Sequence, residues 1–324
     1  MYIEDNEKGT LFMIIVHMMG NLGNQMFIYA MAKKLQMEYN EEVIFDLSGL
    51  KRYYYTADYK MDQFNIEGNF SYDLKKIGFI HRFKYWLASK IFHVEQYVFA
   101  KLRKDSQTPD FITNSWLRRG CIFYTNRLFK DFPKIKRKYK YVYGYFQSDK
   151  YFDECSEQLM KELTLKGSLS EEELKIAKEM ESGNAVGVSI RANKAPENPK
   201  VKDNVLMGFI SKDYYYEGMK RIAEQVSNPK FYVFADDINE VEQNYKLPFP
   251  VTYVRPTSAV NGVVLLSKCK HFVIANSTFS WWGAYLSGNK DKKIIMPTPW
   301  DRVGTYRESI YFDKAEKIEC QFED

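Results

Sequence analysis

The sequence has few of the residues that build disulfide frameworks or metal sites. Its 324 residues include four cysteines and four histidines, and no two cysteines form a C-x-x-C pair. The histidines form no H-E-x-x-H motif, and no D-x-D carboxylate pair occurs anywhere in the chain. These absences argue against a disulfide-stabilised secreted domain and against a structural zinc site. We therefore expect reduced cysteines and no bound metal.

Long apolar runs are also missing. The apolar stretch Phe12–Met19 is interrupted by His17 and is far shorter than the roughly 20 residues that span a bilayer. The residues Met1–Asp5 include acidic side chains where a signal peptide would carry basic ones. We expect a cytoplasmic protein, and peripheral attachment to the inner membrane is left open as an alternative.

The net charge and the composition limit the classes of partner that the chain is expected to bind. A net charge of +5 and a pI near 8.7 are too mildly basic to require a nucleic-acid partner. They are compatible with a pyrophosphate-bearing substrate or with an anionic membrane surface. Aromatic residues make up 16% of the chain. Packing in the core explains most of them, although aromatic rings also form platforms for sugars.

Apolar periodicity predicts an α/β chain with two Rossmann-like domains. Near the N-terminus a strand, a helix and a second strand are predicted at residues 12–17, 24–38 and 43–46. From residue 170 onward, short β-branched strands alternate with helices, which is typical of a parallel sheet covered on both faces. The predicted boundary lies in residues 164–170. It divides the chain into an N-terminal Rossmann-like domain, 1–165, and a C-terminal Rossmann-like domain, 166–324.

Residues 50–145 are less regular and rich in Tyr, Phe, Trp, Lys and Arg. Within them, residues 79–104 are predicted to form a basic helix whose single acid is Glu95. The apolar stripe of this helix consists of Trp86, Leu87, Ile91, Val94, Val98 and Phe99. We expect this stripe to pack on the helix's own domain. The alternative is an interfacial helix at anionic lipid, and a second basic run at Lys134–Lys140 adds weight to it.

The segment Gly20–Gln25 directly follows the first predicted strand and opens a helix. Its glycines, Gly20 and Gly23, let the backbone approach a ligand closely. A helix N-terminus attracts anions, and the amides of Asn24 and Gln25 stand at the same place. The spacing matches neither G-x-G-x-x-G nor a P-loop. The segment predicts an anion-binding turn, with an ordinary tight turn as the alternative.

Two further candidate sites follow strands of the C-terminal half, where parallel α/β sheets bind their ligands. Arg191 follows the strand at 185–190 and can bind a pyrophosphate through its forked guanidinium, although surface ion pairs are commoner for arginine. Asp236 and Asp237 follow another strand. A carboxylate can accept both the N1–H and the N2–H₂ donors of guanine, whereas helix capping is the alternative role.

The fourth candidate segment, Asn276–Gly283, also follows a strand and starts a helix. The hydroxyls of Thr278 and Ser280 suit a phosphate at a helix N-terminus, and either of them also suits an N-cap. The segment also contains Trp281 and Trp282, and tryptophan side chains are usually buried in a core.

Together these motifs resemble those of glycosyltransferase family 11, the α-1,2-fucosyltransferases. Gly20–Ala30 matches the family opening G-x-L-G-N-Q-M-F-x-Y-A, and Ala275–Ala284 matches the late motif S-N-S-T-F-S-W-W-G-A at all but its first position. The two motifs stand near both ends, so the resemblance covers nearly the whole chain. It implies a GT-B fold, in which an acceptor-side domain, 1–165, and a nucleotide-sugar-binding domain, 166–324, face each other across a cleft. It also implies an inverting, metal-independent transfer of L-fucose from GDP-fucose to a galactoside 2-hydroxyl.

The resemblance implies a role for each matching residue. The G-N-Q turn lies near the donor pyrophosphate and the reaction centre in related fucosyltransferases, and the Asp-Asp and Thr-Phe-Ser segments lie near the guanine and the phosphates. The implied donor-binding residues are Gly20, Gly23, Asn24, Gln25, Arg191, Asp236, Asp237, Thr278, Phe279 and Ser280. The candidate catalytic residues are Arg191, Asn24 and Asp46. Asp46 is named only for its position at the end of the second strand, since no motif identifies the general base.

One family motif is only partly present. The family pattern H-x-R-R-x-D aligns with Ser189–Lys194, in which only the first arginine, Arg191, remains. Lys194 can supply positive charge, but without the forked geometry of arginine. Two alternatives follow: a transferase for a different GDP-sugar, or a catalytically weakened protein that binds a nucleotide sugar or a glycan. The acceptor, a galactose-containing glycan that a lipid carrier can hold, would lie against residues 50–145.

Overall fold

The structure, a computed structural model, describes residues 12–52, 58–74, 77–102, 110–123, 134–192, 207–302 and 308–323. Asn193, Lys194 and the end of the predicted basic helix, residues 103 and 104, lie outside these ranges.

A five-stranded parallel sheet occupies the N-terminal half. Its strands are β1 (Met13–His17), β2 (Glu42–Asp46), β3 (Asn69–Ser71), β4 (Cys121–Phe123) and β5 (Tyr139–Tyr143). They lie in the order β3-β2-β1-β5-β4, and every neighbouring pair is parallel. The helices of this half are α1 (Leu22–Tyr39), α2 (Ser48–Arg52), α3 (Phe79–Leu102), α4 (Asp110–Arg118) and α5 (Ser156–Glu162). This half therefore has the predicted β-α-β opening.

A six-stranded parallel sheet occupies the C-terminal half. Its strands are β6 (Asn184–Ile190), β8 (Pro229–Ala235), β9 (Val251–Tyr253), β10 (His271–Val273), β11 (Ile294–Thr298) and β12 (Glu316–Glu319). The order is β12-β11-β10-β6-β8-β9, again with parallel neighbours throughout. The helices are α6 (Glu171–Ser182), α7 (Lys212–Gln225), α8 (Ile238–Asn244), α9 (Ala259–Ser267) and α10 (Thr278–Leu286). β7 (Phe209–Ile210) and β13 (Phe322–Glu323) form a separate antiparallel pair.

The predicted fold class, mixed α/β with two parallel sheets, is confirmed, and several local signals are confirmed with it. Ser170 and Glu173 form the predicted capping box at the start of α6. The first helix begins at Leu22, two residues earlier than predicted, so Gly23, Asn24 and Gln25 lie in the first turn of α1. Their backbone amides therefore belong to a helix N-terminus rather than to a preceding loop.

Strands β4 and β5 lie where the sequence predicted no regular structure. β5 reads Tyr-Lys-Tyr-Val-Tyr. Its three middle residues are all buried, so the strand does not alternate between buried and exposed side chains. Lys140 in this strand is fully buried, and its ammonium lies 2.6 Å from a carboxylate oxygen of Glu41. A buried, ion-paired lysine leaves no apolar signature in the sequence, so the strand could not be recognised from periodicity.

The two halves are joined by packing between α1 and α10. The ring of Phe27 lies 4.5 Å from that of Trp281 and 5.0 Å from that of Trp282, and all three side chains are fully buried. One continuous apolar cluster contains residues of both halves. The predicted division at residues 165 and 166 stays a prediction.

The basic helix predicted at residues 79–104 is α3, and the face that it turns to the core is not the predicted one. Trp86, Leu87, Ile91, Val94 and Val98 are exposed to solvent. The opposite face packs on the first sheet, where the ring of Tyr85 stacks 4.4 Å from that of Tyr141 and Phe92 lies 4.6 Å from Phe123. In the described ranges, no helix has both the length and the apolarity needed to cross a bilayer.

Candidate functional site

The carboxyl ends of β6 and β10, which are neighbours in the second sheet, bring together two polar residues. Arg191 directly follows β6, and Asn276 lies shortly after β10. The Nη1 of Arg191 donates to the backbone oxygen of Asn276 at 3.4 Å, and its guanidinium lies 5.9 Å from the ring centre of Phe209. Arg191 therefore stands at the start of the Asn276–Gly283 segment, at the sheet edge where α/β proteins bind ligands.

Asn276 is fully buried and incompletely satisfied. Its Nδ2 donates to the backbone oxygens of Met207 at 2.7 Å and Gly208 at 3.3 Å. Its Oδ1 is buried and accepts no hydrogen bond from the described part of the chain. Because a buried acceptor without a donor is costly, this oxygen marks a place where a ligand or water donor is expected beside Arg191.

Asp236 and Asp237 perform different tasks after β8. The Oδ1 of Asp236 accepts from the backbone N–H of Ala192 at 2.7 Å and so fixes the backbone just after Arg191. Asp237 is the N-cap of α8, where its Oδ1 accepts from the N–H of Glu240 at 3.0 Å. The capping role weighed for one of the two carboxylates thus falls on Asp237. A contact between either carboxylate and guanine stays a prediction.

Helices α1 and α10 both begin without the usual capping groups. The N-cap residues, Asn21 and Ser277, make no side-chain hydrogen bond to the helix that follows them. Neither helix has an acidic residue in its first turn. The first-turn amides of both helices therefore keep the partial positive charge that a capping oxygen or a carboxylate would offset.

These two N-termini meet at Gly23. A methyl group added at Gly23 would lie 2.5 Å from the Thr278 Oγ1, 2.6 Å from the Thr278 carbonyl carbon and 2.8 Å from the Phe279 nitrogen. The indole Nε1 of Trp282 donates to the backbone oxygen of Gly23 at 2.9 Å. Only glycine permits this approach, so the early and late sequence motifs form one site that includes both halves of the chain.

The amides of Asn24 and Gln25 are both engaged in the fold. Gln25 is fully buried, its Nε2 donates to the oxygens of Gly20 at 2.9 Å and Asp58 at 3.0 Å, and its Oε1 accepts from the N–H of Lys60 at 3.2 Å. The Oδ1 of Asn24 accepts from the Nε2 of Gln147 at 2.7 Å. Gln25 therefore holds the turn in place, and the turn residue at Gly20 takes the left-handed φ of 74° that favours glycine.

The Thr-Phe-Ser segment at the start of α10 is divided between surface and core. Thr278 and Phe279 are half-buried, and the Phe279 ring lies against Gly262 of α9. Ser280 is fully buried, and its hydroxyl donates to the backbone oxygen of Ser277 at 3.0 Å. As placed, Ser280 supports the helix N-terminus from behind, while its predicted phosphate contact stays a prediction.

Asp46 lies at the end of β2, opposite His17 at the end of β1. Its Oδ2 lies 3.2 Å from the Nδ1 of His17, and its Oδ1 accepts from the N–H of Ser48 at 2.9 Å. Burial opposes ionisation of this carboxyl, but the hydrogen bonds to His17 and Ser48 outweigh it and hold its pKa below the usual value. Asp46 therefore holds the imidazole of His17, and its own role as a base stays a prediction.

Two residues of this neighbourhood were not singled out from the sequence. His17 was noted only as an interruption of an apolar run, yet it is stacked on the ring of Tyr143 at 5.4 Å and paired with Asp46. Gln147 contacts Asn24 from a segment in which Phe146 takes a φ of 49°. A histidine at the carboxyl end of a strand was the available signal for His17, whereas Gln147 had none.

Comparison with known proteins identifies the family. The family model described as "Glycosyl transferase family 11" matches residues 13–316. The Escherichia coli protein named "Alpha-1,2-colitosyltransferase" is 27% identical over 300 residues, which cover 89% of this chain and 92% of the relative. The Escherichia coli "O-antigen biosynthesis glycosyltransferase WbnK" is 28% identical over 308 residues, covering 87% and 92%.

Solved structures support the fold. The Bradyrhizobium fucosyltransferase NodZ aligns with a TM-score of 0.51 at 14% identity, covering 84% of this chain and 92% of that one. A NodZ α-1,6-fucosyltransferase co-crystallised with GDP aligns with a TM-score of 0.53 at 14% identity, covering 85% and 92%. At this identity the likeness establishes the GT-B-like fold alone. The chain belongs to glycosyltransferase family 11.

Proposed function

We propose that this chain transfers L-fucose from GDP-fucose to the 2-hydroxyl of a galactoside, with inversion and without a metal ion. The observation that carries the proposal is the meeting of two uncapped helix N-termini, of α1 and α10, at Gly23 and Thr278. A pyrophosphate is the substrate group that such a pair of partial positive charges attracts. The GDP in the NodZ crystal structure supports a guanine nucleotide as the donor's leaving group.

In the proposed reaction the bond between the anomeric carbon and the β-phosphate oxygen breaks while the acceptor hydroxyl attacks from the opposite face. Negative charge develops on the leaving GDP. Arg191 and the first-turn amides of α1 and α10 stabilise that charge, which is the kind of fixed electrostatic contribution that dominates many enzymes. Arg191 would bind the β-phosphate, and Asp236 would support it by fixing the backbone of Ala192.

The acceptor hydroxyl must lose a proton, and the geometry supports His17 as the group that takes it. The carboxylate of Asp46 holds the Nδ1 of His17, so the tautomer with a proton on Nδ1 leaves a lone pair on Nε2, the nitrogen that lies beside Gly49 of α2. Asp46 then acts as a positioning residue that stabilises the imidazolium as it forms. The arrangement is that of a general base, His17, whose orientation is fixed by a hydrogen bond to a second side chain, Asp46.

Replacing His17 by glutamine is expected to lower kcat about 10²-fold, because general-base assistance is lost while the side-chain size is nearly kept. Donor affinity should be unchanged. Asp46→Asn should also lower kcat, because the carboxylate that orients His17 and stabilises the charge developing on it is lost. Steady-state kinetics provide the measurement. Wild-type kcat in either His17→Gln or Asp46→Asn would contradict the role.

A second candidate function keeps the fold and the GDP but changes the sugar. The replaced positions around Arg191 and the colitosyltransferase named among the relatives both favour a different deoxysugar. Under this alternative the GDP part of the donor would still bind at Arg191 and the N-termini of α1 and α10. The sugar would be selected by residues near Ser189, which is buried at the end of β6.

Donor selectivity separates these candidates. Calorimetric titration with GDP-fucose, GDP-mannose, UDP-galactose and GDP is expected to give selective binding of GDP-fucose over the mannose and uridine donors. Turnover with a different GDP-sugar but not with GDP-fucose would favour the second candidate. Tight GDP binding with no turnover of any donor over a broad panel of acceptors would indicate a weakened, non-catalytic protein and overturn the proposal.

A further inference from the structure

Helix α3 exposes an apolar face from Ile80 to Val98. The described chain has fourteen exposed large apolar side chains, and nine of them lie on this one helix. Six are spaced three or four residues apart and define what we call the outer face of α3: Ile80, Phe83, Leu87, Ile91, Val94 and Val98. Each is between 40% and 65% exposed. Exposed apolar surface that is contiguous, rather than scattered, marks a site of contact with a protein or a membrane.

The outer face is not the face with which α3 packs on its own domain. α3 already packs on the first sheet through its opposite side, where Tyr85 stacks on Tyr141 and Phe92 contacts Phe123. A helix at a protein surface normally turns charged and polar residues to solvent on the side away from its core. On α3 the solvent side instead carries large apolar side chains. Phe111 of the adjacent α4, which is 68% exposed, adds to the same kind of surface.

The exposed charged side chains beside the outer face are basic. Lys84 and Lys90 are exposed on α3, and Arg82 lies on the same helix. The only acid in residues 79–102 is Glu95, and its carboxylate accepts a hydrogen bond from the indole Nε1 of Trp116 at 2.7 Å. Long basic side chains can extend their ammonium groups to lipid headgroups while their methylenes lie along apolar surface.

We propose that the outer face of α3 docks on the surface of an anionic lipid bilayer. A helix with an apolar face, flanking cations and no free acid has the chemistry of a helix that lies in the membrane interface. A second copy of this chain fits less well. A symmetric contact would bring together two equally basic faces, each with Lys84 and Lys90, while the single acid of residues 79–102, Glu95, is hydrogen-bonded to Trp116.

The proposed docking surface is one side-chain layer away from the His17–Asp46 pair. The ring of Tyr85, on the inner face of α3, lies 6.4 Å from that of His17. Tyr143, which stacks on His17, has its hydroxyl 3.2 Å from the Nε2 of His93 on α3. Docking would thus bring the acceptor side of the site close to the bilayer. This consequence rests on the proposed function, although the docking itself does not.

Trp86 provides a direct probe of docking. It is 47% exposed, whereas the other four tryptophans, Trp116, Trp281, Trp282 and Trp300, are at most 6% exposed. Adding vesicles of phosphatidylglycerol and phosphatidylcholine to the full-length protein is expected to shift the tryptophan emission to shorter wavelength. The shift should be absent in Trp86→Phe and absent with vesicles of phosphatidylcholine alone at high salt.

Vesicle flotation tests the apolar contribution. The triple variant Ile80→Gln, Leu87→Gln and Val94→Gln is expected to bind at least about 10-fold more weakly, because three apolar side chains no longer leave water on docking. The matched control is Met37→Gln with Leu174→Gln, which changes two comparably exposed apolar residues elsewhere and should leave binding intact. Lys84→Gln with Lys90→Gln should weaken binding to anionic vesicles and reduce its dependence on salt.

Three outcomes would overturn the proposal. These are no flotation of the wild-type chain, binding that the triple variant leaves unchanged, and a dimer in sedimentation that the triple variant dissociates without any effect of vesicles. The last outcome would assign the outer face to a second copy of the chain. Since flotation needs no donor, failure of the proposed glycosyl transfer would leave the docking result standing, and the reverse also holds.

Discussion

Arg191→Ala is expected to lower turnover of the donor about 10²–10³-fold, the usual loss when one group that stabilises developing negative charge is removed. Arg191 is the one arginine of the family's H-x-R-R-x-D pattern that this chain keeps. Its position between the end of β6 and Asn276 gives it access to an anion bound at the start of α10. No second arginine of that pattern is present to compensate for its loss.

The measurement is kcat and KM for GDP-fucose, with GDP affinity determined separately by calorimetry. Arg191→Lys should recover only part of the turnover, because a lysine keeps the charge but not the forked pair of donors. Arg255→Ala is the matched control. Arg255 is half-exposed and pairs with Glu242 on the surface, so its removal should leave kinetics unchanged. Near-wild-type turnover in Arg191→Ala would remove Arg191 from the proposed mechanism.

Gly23→Ala is expected to destabilise the fold by about 1–3 kcal/mol, the usual cost of forcing an extra carbon into a packed contact. Helix propensity alone would favour alanine at a helical position by up to about 1 kcal/mol, so the sign of the change is diagnostic. The new methyl group would lie 2.6 Å from the Thr278 carbonyl carbon and 2.8 Å from the Phe279 nitrogen. These are backbone atoms, which cannot move aside as the end of a flexible side chain can.

Relief of this contact requires α10 to move away from α1, which would separate the two helix N-termini. We therefore expect Gly23→Ala to weaken GDP binding and to lower turnover about 10²-fold, as small displacements of a catalytic arrangement do. Chemical denaturation and calorimetry provide the two measurements. Gly288→Ala serves as the control, because a methyl group there meets no atom within 4 Å. A Gly23→Ala variant with unchanged stability and donor affinity would contradict the description of the site.

The strand–helix junctions could be predicted from the sequence because their signals are local. A buried β-branched strand followed by a glycine, an aspartate or a hydroxyl residue marks the point where a parallel strand gives way to a helix. The junctions at Gly20, Asp236 and Asn276 follow this pattern, with Ser277 as the hydroxyl residue after Asn276, and the structure has a strand before each of them and before Arg191. The positions of these candidate site residues in the fold were therefore available before the structure.

The contacts between these strand–helix junctions could not be predicted from the sequence. Gly23 and Thr278 lie against each other although more than 250 residues separate them in the chain, as the hydrogen bond between Trp282 and Gly23 also illustrates. Only tertiary packing brings them together, and no local pattern encodes it. Likewise the sequence of α3 shows which residues share a face, but not which face meets the core, because both of its faces carry large apolar side chains. The expectation that the stripe with Trp86 and Val94 packs inward was therefore wrong.

The shared core between α1 and α10 has a consequence for recombining relatives of this chain. Exchanging the C-terminal half for that of another family member is an obvious way to combine one acceptor preference with a new donor. In this protein such a cut would separate Phe27 and Gly23 from Trp281 and Trp282, whose rings and indole nitrogen complete the junction. A workable chimera must therefore join parents whose opening and late motifs both carry these contact residues, even though the two motifs stand at opposite ends of the gene.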